Sequence, residues 1–430
     1  MIIQKSKRDI FVSLFFWLTL FLIPVLPQYI YVVGGINVVN FLMVVFFVAY
    51  LLIGGKLKIV HMPKMTYLFW LYLIYSVVLY LLDADILKAG TYALLFLIFP
   101  YIIIATVDTK NRFFKAVDIL ILGGVILGFI GLMETVVSLN FIQLLAPESM
   151  EFFHDVRYGL LRIMTTFGQP IGYGLYQVFI ASLIYYRLNT EITAKKRNRL
   201  IIAYVISVLN IFLTVSRIPF LAFIITQILF VYSKSKRKFL NYFFIAIAIA
   251  IPTIILCSLI GINIPFIDDL VKAIASIFWE DVNTDNAVGV GNRLELWHWV
   301  FESMNGSWIF GSGISSVFEY EVYEWHTKTS IENQYLNTFF HTGIVGVIAL
   351  IFSYVSVLVY ARKENKKHGK AFGEKSISFN SIISILFTVY YLAGMGVQET
   401  DMTRTYVIFI ALLIAYNRIG KMRYLQAEER

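Results

Sequence analysis

The sequence predicts an all-α integral membrane protein of about 12 transmembrane helices, and three observations predict it. Hydrophobic residues are 59% of the 430 and charged residues only 15%, at a mean hydropathy of +0.75. A water-soluble chain of that composition would expose a very large apolar surface. Apolar runs long enough to cross the hydrocarbon, about 20 helical residues each, recur along the whole length. Their apolar positions do not alternate strictly, which favours helices over a barrel.

Taken in order, the runs lie at 10–27, 36–53, 66–82, 89–107, 116–139 and 169–187, then at 200–215, 218–233, 239–260, 335–360, 377–397 and 403–419. The first is too long for a signal peptide and lacks a small-residue cleavage site, so it reads as a retained anchor. The single cysteine, Cys257, lies within a run, so neither an internal disulfide nor a cysteine metal site is available. No tandem repeat, low-complexity tract or Gly/Ser/Pro linker divides the chain. Residues 1–430 therefore read as one polytopic membrane domain with two sizeable outward excursions, 140–168 and 261–334.

Orientation follows from the cations. An inside amino terminus puts 28 of the 36 Lys and Arg on the inner side and 8 outside, with KKRNR at 195–199, KSKRK at 234–238 and RKENKK at 362–367 all inside. That asymmetry is the positive-inside pattern, so both termini are expected in the cytoplasm. The net charge of +9 is then explained by short inner loops touching anionic lipid. Nucleic-acid binding is not expected, because the basic residues are scattered over many loops.

The outside cations are Lys88, Arg157, Arg162, Arg217, Lys272, Arg293, Lys328 and Arg404, a lean toward arginine, whereas lysine leads inside. Arginine presents a planar fork that grips phosphate or carboxylate at two points and keeps its charge when partly desolvated. Arg217, in TVSRIPF, falls at the outer boundary between two apolar runs, where a charge needs partners or a polar cavity. Arg162, in LRIMTTFGQPIGYG, precedes Gly168 and Pro170, which reshape the backbone before a helix begins. Two acidic features are weaker signals. Asp83-Ala84-Asp85 has the spacing of a metal-diphosphate motif but reads as turn solvation, and Glu134 is the one acid approaching the depth of a span.

The 261–334 excursion carries eleven acidic residues against Lys272, Arg293 and Lys328, so any phosphate it holds must be gripped locally. Within it, NRLELWHWVFESM puts Leu294, Trp297, Val300, Phe301 and Met304 on one helical stripe. With Trp297, Trp299 and Trp308 close together, this helix is expected to lie in the outer interface, with Arg293 at its start. The cluster Gln398, Glu399, Asp401 and Arg404 faces outward between the last two runs.

Several strings carry a resemblance. Gly291-Asn292-Arg293-Leu294-Glu295-Leu296-Trp297 comes first, then Phe310-Gly311-Ser312-Gly313, then Asn333-Gln334-Tyr335-Leu336 running into Thr342-Gly343-Ile344-Val345-Gly346. Together with Ser216-Arg217 and with Arg162 ahead of Phe167-Gly168-Gln169-Pro170, their order and topology resemble the O-antigen ligase and Wzy-type polysaccharide polymerase superfamily. The resemblance implies glycosyl transfer at the outer face of a bacterial cytoplasmic membrane. The donor would be a glycan on a polyprenyl diphosphate, and no cofactor or metal would be needed.

On that reading arginines neutralise the diphosphate leaving group and a base takes the acceptor hydroxyl's proton. Arg293, Arg217 and Arg162 match the family arginines. The ligases show His-Asn before the Tyr-Leu, and here the pair is Glu332-Asn333; a carboxylate can act as base, and partial burial would raise its pKa usefully. Glu332 and Arg293 are thus the expected catalytic residues. Arg162, Arg217, Arg404, Asn333, Tyr335, His326 and Arg157 are the expected substrate-binding residues, while His341 reads as packed or capping. The expected activity is repeat-unit polymerisation, with attachment of the finished glycan to another acceptor by a ligase as the alternative, and a chain-length regulator is a candidate partner. A 12-span transporter or a flippase for lipid-linked oligosaccharide is the alternative of another class. A transporter is disfavoured by the long outer loop and the lack of two-half similarity. A flippase would line a path through the membrane with cations rather than only its outer rim.

Overall fold

The structure is a computed structural model, and it describes residues 7–27, 29–33, 36–52, 60–145, 156–157, 160–234, 290–323, 326–396 and 403–428. The chain is mostly helical. In order come α1 (Lys7–Val25), a small hairpin β1 (Tyr31–Val33) and β2 (Ile36–Asn37), α2 (Val38–Leu52), α3 (Tyr67–Leu82), and α4 (Ile86–Ala93), which a π turn (Leu94–Ile98) joins to α5 (Phe99–Thr106). Next are α6 (Lys110–Val137), hairpin β3 (Val156–Arg157) and β4 (Leu160–Leu161), α7 (Pro170–Leu188), α8 (Ala194–Leu213) and α9 (Arg217–Lys234). The last stretch holds α10 (Val290–Ser303), hairpin β5 (Tyr320–Tyr323) and β6 (His326–Lys328), α11 (Gln334–His368), α12 (Phe379–Ala393) and α13 (Thr403–Glu428).

Every expected span but one falls on a helix, α4 and α5 together making a single rod; the exception, 239–260, lies outside the described residues, as does Cys257. Among the described residues, six helical stretches are long and apolar enough to cross a membrane: Lys64–Leu82, Ile86–Thr106, Lys110–Val137, Arg217–Lys234, Gln334–His368 and Arg404–Tyr424. The helix starts obey local chemistry. Thr109, Thr193 and Ser378 accept the N–H of Arg112, Lys196 and Ser381, and α7 opens on Pro170, whose missing N–H costs nothing there.

Among the described residues, two helices form the interior. In α7 residues 172–184 are all buried, and in α13 residues 404–417 are, the signature of helices that are covered all round. α7 packs on α6, α8, α9 and α12, and α13 on α5, α6, α11 and α12. Several polar side chains around this interior pair with one another. Asp118 takes Arg187 at 2.8 Å and Lys196 at 2.5 Å, Asn380 and Asn417 exchange both amide bonds at 2.8 Å, and Glu374 accepts from the Tyr186 and Tyr416 hydroxyls.

α10 forms where the sequence places a helix, but its buried face is turned. Leu296, Trp299 and Val300, followed by Met304, pack on Phe318, Ile331, Leu336 and Phe340, whereas Trp297 and Phe301 of the expected stripe are 45% and 38% exposed. Those two rings stack at 6.2 Å, and Phe301 also meets Trp308 and Phe339. The expected stripe is therefore split: Val300 and Met304 lie on the covered face, over Phe318, Ile331, Leu336 and Phe340, while Trp297 and Phe301 point away from it.

The second departure is in α11, whose run 335–360 reads as one uninterrupted span. At Gly343 the backbone leaves helical geometry (φ 64°, ψ −166°), so carbonyls before the break and N–H groups after it lose their i→i−4 partners. The segment 308–313 replaces them. Ser312 N–H donates to Phe340 O (2.8 Å) and Gly313 N–H to His341 O (3.1 Å), while Ile344 N–H donates to Trp308 O (2.9 Å) and Val345 N–H to Ile309 O (3.3 Å). A Cβ on Gly343 would collide with Ile309 O, and one on Gly311, at φ +78°, with Thr342 N. Phe310-Gly311-Ser312-Gly313 and Thr342-Gly343-Ile344-Val345-Gly346 are therefore two halves of one backbone lock.

Gly343→Ala and Gly311→Ala are each expected to destabilise by more than about 3 kcal/mol, since the collision adds to a left-handed strain of about 1–3 kcal/mol. Gly90→Ala in α4, where nothing lies within 4 Å of the new methyl, is expected to be neutral or stabilising by up to about 1 kcal/mol. Thermal unfolding in detergent checks this, and wild-type melting of both lock variants would refute the lock.

Candidate functional site

The turn between α8 and α9, Thr214-Val215-Ser216, is built under strain. Val215 sits at φ 46°, a region a β-branched residue enters only when its surroundings compel it, at a cost of about 1–3 kcal/mol. Arg162 supplies part of that compulsion. Its side chain is 4% exposed, its Nε donates to Thr214 O at 3.0 Å and its Nη2 to Ser216 Oγ at 2.6 Å. The fork thus fastens the 162–167 segment to the corner from which Arg217 starts α9.

The 162–167 segment is pinned from its other side by Glu134, the deep acid of α6. Glu134 is fully buried, and its Oε2 accepts the backbone N–H of Met164 (3.3 Å) and Thr165 (3.1 Å). The Tyr29 hydroxyl donates to Thr165 O, and Ile163 N–H to Leu213 O. Arg404, 1% exposed, closes the base of the same segment, with its guanidinium 5.9 Å from the Phe167 ring and Nη1 donating to Leu26 O. Arg217 is half-buried, and among the described residues no carboxylate lies within 4 Å of it.

The start of α11 reaches this corner through the end of α12. Asn333 caps α11, its Oδ1 accepting from Tyr335 and Leu336 N–H at 3.0 Å, and its Nδ2 donates to Met395 O at 3.0 Å. Gln334 N–H donates to Gly394 O, and the Tyr335 hydroxyl to Tyr391 O at 2.9 Å. One residue on from Met395, Gly396 faces Ile218; a Cβ there would stand 2.9 Å from Ile218 Cδ1. The turn that Arg162 holds and Arg217 follows is therefore linked to the Asn333 cap of α11, about 170 residues away in sequence at the extremes, through Met395, Gly396 and Ile218.

The expected residues divide as follows. Arg162, Arg217 and Arg404 share the corner, with Arg404 buried beneath it, not standing in an open turn. Asn333 and Tyr335 border it with their polar groups engaged in capping and inter-helix bonds. Glu332 stands beside the cap but is exposed, so the expected partial burial is not found. Arg293 is in the first turn of α10, Arg157 in β3 and His326 in β6, and their side chains lie outside the described residues, as do Gln398, Glu399 and Asp401. The Asp83-Asp85 pair is structural: Asp83 accepts Ser315 N–H at 2.9 Å, and Asp85 caps α4 and pairs with Lys88 at 2.8 Å. Those contacts hold the Asp85 carboxyl below the usual range, chiefly through the Lys88 hydrogen bond. The sequence does not point to Ser216 as a ligand of Arg162, to Glu134 as the anchor of its segment or to Gly396 as the contact for Ile218. A lone acid near the end of an otherwise apolar helix is the available signal for Glu134.

No curated protein matches the chain at a significant level. Residues 202–351 match the model of a family described as O-Antigen ligase. The match spans the Ser216-Arg217 corner, α10 with Arg293, both halves of the backbone lock, and Glu332-Asn333. Over this segment the chain is similar to the O-antigen ligase family, and its resemblance to the O-antigen ligase and Wzy-type polymerase superfamily is shown.

Proposed function

We propose that this protein is a surface-polysaccharide repeat-unit polymerase. It would move a growing glycan from polyprenyl diphosphate onto the terminal sugar of a lipid-linked repeat unit at the outer face of the cytoplasmic membrane. The observation that supports the reading is that the Arg162-held turn before Arg217 is linked, through Ile218, Gly396 and Met395, to the Asn333 cap that follows Glu332. An acceptor hydroxyl attacks the donor's anomeric carbon, forming a new C–O bond as the bond from that carbon to the diphosphate oxygen breaks. The hydroxyl proton passes to Glu332, and the departing polyprenyl diphosphate gains charge that Arg217 and Arg293 neutralise. Arg162 is the positioning residue, since its fork is committed to the turn that presents Arg217.

Carboxylate chemistry in place of the ligases' histidine supports polymerase over ligase, and the exposed aromatic group of Trp297, Phe301 and Trp308 supports α10 lying against the membrane surface, where a lipid-linked substrate is found. A chain-length regulator is a partner to be sought by co-purification.

Arg217→Ala and Arg293→Ala are expected to lower polymer yield at least about 100-fold while the protein stays in the membrane, because each removes a charge-assisted contact strongest in the transition state, about 3 kcal/mol or more. Arg293→Lys should recover only a small part, a point charge replacing a fork. Normal polymer from the Arg293 variants would remove the central claim. Glu332→Gln tests the base separately: product laddering on a lipid-linked repeat unit should fall at least about 100-fold, and full activity would end that role. Transfer to a different acceptor without a ladder would identify a ligase.

A further inference from the structure

One cavity, of about 470 Å³, is not at the arginine corner. It lies between α2, α3, α4 and α11, and none of Arg162, Arg217 and Arg404 lines it. Its volume is in the range of about 300–1,000 Å³ typical of small-molecule sites. The wall is built from tyrosines and amides: Tyr72, Tyr75 and Tyr92 on one side, Asn40, Gln334 and Asn337 on others. Among the described residues no carboxylate lines it, and the cation that does, Lys88, is held by Asp85 at 2.8 Å.

This wall has a definite chemistry. With its cation already paired it offers a diphosphate little, and an acyl or prenyl chain would leave its amides and hydroxyls buried without hydrogen bonds. Aromatic faces and side-chain amides suit a saccharide, whose ring presents C–H faces and whose hydroxyls both donate and accept. Two wall groups have capacity to spare. The Tyr75 hydroxyl is shielded from solvent and has no hydrogen-bond partner among the described residues. His341 lines the cavity with its Nδ1 3.0 Å from Gly313 O; since a carbonyl only accepts, Nδ1 carries the proton, which leaves Nε2 as an acceptor in the neutral ring.

Position completes the argument. Gln334 and Asn337 occupy the first turn of α11, immediately after Glu332 and Asn333, and Gln334 N–H donates to Gly394 O on the corner's side. We infer that the tyrosine-lined cavity is a saccharide subsite that receives the uncharged sugar of the acceptor, separated from the arginine corner by the first turn of α11. The identity of the sugar as acceptor rests on the polymerase reading; saccharide binding by the cavity does not.

The test is calorimetric titration of the full-length protein in detergent with the lipid-free oligosaccharide released from the host's own surface polymer, with inorganic diphosphate as a second probe. Tyr75→Phe removes only the unpartnered hydroxyl, so it should melt like wild type, and Asn337→Ala removes one amide. Each should weaken oligosaccharide binding roughly 3- to 10-fold, the loss of one hydrogen bond, and leave diphosphate binding unchanged. Arg217→Ala should do the reverse. Unaltered oligosaccharide binding in both cavity variants, or none in wild type, overturns the cavity assignment, as does competition by a sugar-free polyprenyl phosphate that Tyr75→Phe weakens. Normal polymer in cells carrying Arg217→Ala, with oligosaccharide binding still weakened in the cavity variants, would overturn the polymerase reading alone and leave the subsite standing.

Discussion

Backbone hydrogen bonds have nowhere to go in hydrocarbon except to other backbone, and the exchange between 308–313 and the break at Gly343 is where this molecule meets that constraint most directly. A helix interrupted inside an apolar run is unstable by itself. Here the interruption is made good by a chain segment whose own carbonyls and N–H groups are equally in need of partners. The exchange fixes the distal end of α10 against α11, aligns Phe318 and Phe340 beneath Trp299 and Val300, and sets where the cap at Asn333 must fall. Everything proposed about the site inherits its geometry from that exchange.

A second constraint is the handling of charge. Arg162, on the 162–167 segment, and Glu134, on α6 beneath it, are both buried, and neither is matched with the other among the contacts described. In those contacts the guanidinium donates to the Thr214 carbonyl and the Ser216 hydroxyl, and the carboxylate accepts from the backbone N–H groups of Met164 and Thr165. Backbone dipoles cannot titrate or move away, so the N–H groups facing Glu134 make a stiff setting for the segment. The result is a turn, Thr214 to Ser216, that tolerates a strained Val215 and delivers Arg217 at a fixed angle.

Much of this is legible in the sequence. Run lengths locate the helices, and threonine, serine and asparagine caps mark their starts. The glycine-bearing strings around 311 and 343 stand out as strings, though the reason for them does not, since a mutual backbone approach leaves no periodic signal. The turned face of α10 shows the limit plainly: Trp297 and Trp299 are equally apolar, and only the location of Ile331 and Leu336 decides which one is covered. The cavity is illegible for a related cause. Tyr72, Tyr75 and Tyr92 read as ordinary span residues, and only helices packed in register bring their side chains to one shared space.

The π turn at Leu94–Ile98 bears on that register. One additional residue per turn rotates everything downstream by about 100° relative to a regular helix. Thr91 and Tyr92, ahead of the turn, and Leu95 and Phe96, within it, reach the cavity, while Phe99, Ile102 and Ile103 beyond it are buried in the core. The rod formed by α4 and α5 therefore acts as two facades on one beam, a ligand-facing half and a packing half, indexed by the widened turn. Sequence change on the first facade can retune what the cavity recognises without disturbing how the second is packed, so related proteins that handle different sugars would be expected to vary before residue 97 and to keep their bulk after it.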